Sequence, residues 1–191
     1  MARTTISADD SLIKRAKDEG VNISQVAREA LQETLNEPTH HLFNTNEKNL
    51  PNGQSGAGVY GHGVVATFAS NDNPNNVERY GGHIGEISAG DKVYSWQNDV
   101  GLRAVGFALE HGDSDPVPPE HRLFHSASSK IHEFHASIYW VAVLDSSAAL
   151  TTEEVERVCD RPAYAGVTHR ELNDDDYPSL LWDLVVGRAS Q

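Results

Sequence analysis

The chain has 191 residues with 28 Asp or Glu against 15 Lys or Arg, a formal net charge of −13, which suits one ordinary domain of about 130 residues plus a small appendage. A single cysteine, Cys159, excludes an intramolecular disulfide and a Cys-rich metal site. No apolar run is long enough to span a bilayer and no charged-then-apolar leader opens the chain, so no membrane contact and a cytoplasmic location are expected.

Residues 1–37 read as a short strand followed by two amphipathic helices. Alternation puts Arg3, Thr5 and Ser7 on one face of the strand and Thr4, Ile6 and Ala8 on the other. Asp9, Asp10 and Ser11 offer caps for a first helix, which Gly20 is placed to end, and Asn22 with Gln25 opens a second. A lone strand in so small a unit buries too little apolar surface to fold as a monomer. Pairing two copies builds a two-stranded ribbon of a width that enters a major groove, so a homodimer is expected. These residues resemble the ribbon-helix-helix family, in particular its CcdA-type antitoxins and CopG-type repressors. The resemblance implies that Arg3, Thr5 and Ser7 read base edges, and that Asn22, Ile23 and Ser24 hold a phosphate at a helix amino terminus.

The charge argues against a polyanion partner, which usually leaves a basic footprint. Residues 1–37 hold five Lys or Arg against seven Asp or Glu, so most of the excess lies in the remainder. Only five lysines are present, Lys14, Lys17, Lys48, Lys92 and Lys130. Such a surface resembles that of proteins from salt-loving archaea. Molar salt suppresses counterion release, and direct contacts would then carry any DNA binding.

From Pro38 to Gly58 the periodicity stops, and the Pro-, Asn-, Gly- and His-rich run is predicted to be a flexible linker in which His40 and His41 are solvated. Residues 59–191 read as a second domain. Strands are predicted over Val64–Phe68, Lys92–Trp96, Leu102–Leu109, Ser137–Leu144 and Tyr164–His169, with a loop NDNPNN followed by a short helix over Asn75–Ile87, and helices over Thr151–Val158 and over Tyr177–Val186. The expected class is α+β, a curved sheet or small barrel with peripheral helices.

The hairpin GDKVYSW-turn-GLRAVGFAL, through Gly90, Asp91, Val93, Trp96, Gly101, Ala104, Gly106 and Ala108, is similar to the core signature of PUA-like folds of the EVE-like branch. The resemblance implies an aromatic-lined pocket for RNA or a flipped, modified nucleobase. Its expected wall is Phe68, Ser70, Asn71, Trp96, Tyr139 and Trp140, with aromatics sandwiching a base and Ser or Asn bonding its polar edge.

No catalytic residue, cofactor or metal ligand stands out. His121, His125, His132 and His135 crowd one stretch, but HRLFH lacks the internal glutamate of a zinc-hydrolase helix. No phosphate-binding glycine loop or nucleophile elbow is present. Two functional readings follow. One is a dimeric DNA-binding transcription regulator, or an antitoxin-like protein with a toxin partner. The other is an RNA- or modified-base-binding module whose amino-terminal head only dimerises.

Overall fold

The chain divides into two units, Met1–Glu37 and Pro38–Gln191. The computed structural model describes residues 38–45, 50, 57–161, 167–173 and 176–191. The expected DNA-reading positions Arg3, Thr5, Ser7, Asn22, Ile23 and Ser24 therefore lie outside the described residues.

The second unit runs β1 (His40–Thr45), α1 (Ala57–Gly61), β2 (Val64–Ser70), α2 (Pro74–Gly85), β3 (Lys92–Gln97), β4 (Gly101–Ala108), β5 (Ile131–Val143), α3 (Thr152–Cys159), β6 (His169–Glu171) and α4 (Tyr177–Ala189). Its strands form one sheet in the order β2-β5-β4-β3-β1-β6, with β1 and β3 parallel and the other pairs antiparallel. The α+β expectation for this unit holds.

Strand β5 bends the sheet. Its first seven residues, Ile131–Ser137, pair with β2, and the rest, from Ile138, pair with β4. The register also slips between Val105 and Gly106, leaving Val141 as an extra residue on β5. Gly106 is required there, because a Cβ would stand 2.5 Å from the Tyr139 carbonyl oxygen. A second slip leaves Arg103 extra on β4. Bulges raise twist and curvature, and the sheet curls until β1 and β2, four places apart in strand order, approach each other.

Each face of the sheet has its own apolar core. Helix α2 starts at Pro74 behind the Asn73 cap, and its Val77, Tyr80 and Ile84 fall at helical spacing onto Phe43, Val65, Val93, Phe134 and Ile138. On the other face α3 and α4 cover Leu42, Tyr94, Trp96, Leu102, Val105, Leu144 and Leu150. Helix α3, expected over Thr151–Val158, opens on a capping box, with Thr151 N–H donating to Glu154 and Glu154 N–H to Thr151 Oγ1. Cys159 is buried at the end of α3.

The linker expectation for 38–58 is corrected over its first residues. His40–Thr45 is an interior strand between β3 and β6, and His41, Leu42 and Phe43 are buried. His41 is therefore not solvated. Two further boundaries differ: β5 begins six residues before the predicted Ser137, and the strand predicted over 164–169 is described only from His169. No described helix is long and apolar enough to cross a membrane.

Candidate functional site

The curl brings the carboxy-terminal end of β1 beside the middle of β2, and a cavity of about 220 Å³ lies in this seam. Apolar walls come from Val59, Ala66, Val167 and Leu50, and aromatic ones from Phe68 and Tyr80. Polar groups come from Asn44, Thr45, Thr67, Asn98 and Thr168. Thr67 is committed to the Tyr80 carbonyl at 2.8 Å, and Thr45 to the Trp96 carbonyl at 3.1 Å. Asn44 donates its amide to Asn98 Oδ1 at 2.7 Å, which fixes its orientation. Its own Oδ1 is buried and has no hydrogen-bond partner among the described residues. An acceptor held out of water without a donor is a costly arrangement that native structures rarely keep without a use.

Phe68 is held from behind. It meets Phe124 and His125 edge to face, at centroid distances of 5.6 and 5.1 Å. That loop is fastened by Glu133, a fully buried carboxylate on β5. Backbone N–H groups of Leu123, Phe124 and His125 donate to it, as do His125 Nδ1 at 2.7 Å and His135 Nε2 at 3.0 Å. Burial pushes the Glu133 carboxyl up, but the bonds from His135, His125 and the backbone outweigh it and bring it down to about 2. Glu133 is thus an anchor that is charged at neutral pH, with its acceptor sites filled.

A second buried polar group lies under α2. Asp91 accepts from Thr39 N–H at 2.9 Å, from Ser88 N–H at 2.7 Å, and lies 3.1 Å from His41 Nε2. His41 Nδ1 stands 3.0 Å from His169 Nε2, and His169 Nδ1 is 3.3 Å from Glu86 Oε2. His83, one turn before Glu86, packs its ring 5.0 Å from that of His169. Ligand atoms of His83, Glu86 and His169 all lie within 4.8 Å of one another. Burial and then the neighbouring His41 and His83 push the His169 imidazole down to about 3, so it is neutral. Burial also lowers His83.

The six residues expected to wall a pocket are not gathered in one place, and only Phe68 lines the seam cavity. Ser70 closes β2 and bonds Asp72, and Asn71 is exposed on the turn after it. Trp96 is 3 % exposed and packs in the α3/α4 core, whereas Trp140 packs on the α2 face against Tyr60. Tyr139 points outward at 62 % exposure. The extra residue Val141 explains why Ile138 and Trp140 face α2 while Ala142 and Leu144 face the opposite core. Of the histidine-rich stretch, His125 and His135 converge on Glu133, His132 lies on β5 beside Glu133, and His121 ends a short 3-10 turn. No helix carries them together. Asn44, Thr45 and Asn98 were missed because two of them sit in the segment predicted as linker and the third in a turn, where Asn is expected for local reasons.

No family model matches this chain, and no curated protein matches it. Solved structures with a related chain path include a Rhodopseudomonas palustris protein determined by NMR, 11% identical, covering 80% of this chain and 93% of that one at a TM-score of 0.38. A hypothetical protein from Leishmania major is 13% identical, with coverages of 76% and 94% and a TM-score of 0.41. The YTH domain of a Zygosaccharomyces rouxii protein, solved with N6-methyladenosine RNA, is 10% identical over 79% of this chain and 88% of its own, at a TM-score of 0.42.

Proposed function

We propose that residues 38–191 form a PUA-like module that binds a nucleobase in the seam cavity by equilibrium recognition, without turnover. The observation that carries this reading is a cavity of about 220 Å³ that sets the aromatic rings of Phe68 and Tyr80 beside the polar side chains of Asn44, Asn98 and Thr168. A heterocycle's π-face suits the aromatic walls, and its polar edge suits the Asn and Thr groups. The acidic surface fits the same reading. It disfavours long phosphate tracts and leaves recognition to a single base held in a concave site.

On this reading the 1–37 head, through its resemblance to ribbon-helix-helix proteins, supplies dimerisation to a base-binding module. Nucleosides, including methylated ones, titrated into the full chain at fixed salt provide the test. The expected result is one saturable site per chain, weakened by Asn44→Ala and by Phe68→Ala and unaffected by Arg3→Ala. Affinity that depends on Arg3 and ignores Asn44 would move the function to the head.

A further inference from the structure

We propose that His83, Glu86 and His169 form a binding site for a divalent transition-metal cation of the Zn²⁺ class, with His41 and Asp91 as its outer shell. This site is separate from the residues assigned to the nucleobase.

Asp91 accepts two backbone N–H groups and lies 3.1 Å from His41 Nε2. On its other side His41 Nδ1 lies 3.0 Å from His169 Nε2, so that contact occupies one ring nitrogen of His169. The other, His169 Nδ1, lies 3.3 Å from a Glu86 carboxylate oxygen. His169, Glu86 and His83 each bring one ligand atom to within 4.8 Å of one another, a spacing that a single cation can bridge.

His83 Nε2 is buried and has no partner among the described residues, yet its ring packs against that of His169. One metal ion satisfies His83, His169 and Glu86 together.

The fold supplies what such a site needs. His83 and Glu86 are three apart in the last turn of α2 and its cap, so they share a face. His169 is fixed opposite Phe43 by the β1–β6 ladder, and its side chain is 4 % exposed against 53 % for Glu86. The half-exposed carboxylate leaves an entry path and room for a water or ligand at a further position. Two imidazoles and a carboxylate suit borderline cations such as Zn²⁺, Co²⁺ or Ni²⁺ rather than Mg²⁺ or Ca²⁺. The His169–His41–Asp91 relay is the outer-shell pattern that fixes a ligand imidazole's tautomer and raises its basicity. Among the described residues this is the only group of three or more ligand side chains with that convergence.

The full chain, stripped with chelator, is titrated with Co²⁺ alone and followed by its visible d–d absorption, then with Zn²⁺ in competition with a chromogenic chelator. One ion per chain is expected. His83→Ala and Glu86→Gln, both on an accessible helix end where folding is not at risk, abolish it. Asp91→Asn weakens it by about 10–100-fold, and His121→Ala leaves it unchanged. Absence of a Co²⁺ spectrum, or binding that survives both His83→Ala and Glu86→Gln, overturns the site. So does an NMR titration in which the imidazole resonances of His83 and His169 are unaltered by Zn²⁺.

Discussion

Glu133 and Asn44 are both polar groups taken out of water, and they differ in whether their bonding is complete. Around Glu133, three backbone donors and two imidazoles fill the carboxylate, and the loop carrying Phe124 and His125 is locked to β5. At Asn44 the amide is held by Asn98 while the buried carbonyl oxygen has no hydrogen-bond partner among the described residues. The difference separates architecture from recognition. A completed network contributes stability and orientation, and an oriented but incomplete one reserves free energy for a ligand.

The largest effect should come from breaking the completed side. Glu133→Gln removes the charge from five donors and is expected to cost about 3 kcal/mol, read from urea unfolding. The same residue sets a pH dependence whose sign is fixed. Its carboxyl is depressed in the folded chain from 4.5 to about 2, so its contribution is complete above about pH 4.5 and is lost as pH falls toward 2. The variant should lose this component of the slope; equal acid profiles for both proteins would contradict the assignment.

The incomplete side should behave the other way. Phe68→Ala is expected to remove about 2 kcal/mol of nucleoside binding, the loss of an aromatic wall against a base. Asn44→Ala should weaken binding by about tenfold and destabilise the fold by only about 1 kcal/mol, the loss of its part-buried hydrogen bond to Asn98. If Asn44→Ala destabilises the fold as Glu133→Gln does, the two regions are not of different kinds.

Two smaller effects calibrate the scale. Thr151→Ala removes the α3 cap, at about 1 kcal/mol in urea unfolding with no change in ligand affinity. Tyr139→Ser, on the exposed edge of β5, should change stability by less than about 0.5 kcal/mol and binding not at all.

The elements legible in the sequence are those whose signals are local. The β3–β4 hairpin follows from alternation across a turn, α3 from its TTEE start, and the helix read over Asn75–Ile87 overlaps most of α2, whose Asn73 cap and Pro74 start were read as loop. Strand β1 was not legible, since the burial of HHLFNT comes from pairing with β3 about fifty residues on and with β6 still further. The first half of β5 reads as polar because His132, Glu133 and His135 lie within it, and the bonds from His125 and His135 that let Glu133 be buried form only in three dimensions. The seam cavity was legible only through Phe68. An extra residue at Val141 turns the face of β5, so Trp96 and Trp140 ended in opposite cores, and alternation alone cannot place a bulge.

The most direct measurement is an amide-proton NMR titration of the full chain with the tightest-binding nucleoside, following the side-chain NH₂ resonances of Asn44 and Asn98. Base binding at the seam predicts that both shift and saturate together with the Thr45 and Phe68 backbone amides, while the Glu133-bound amides of Leu123 and Phe124 move little. Saturating shifts confined to residues 1–37, or to the exposed edge at Tyr139, with Asn44 unmoved, would contradict it.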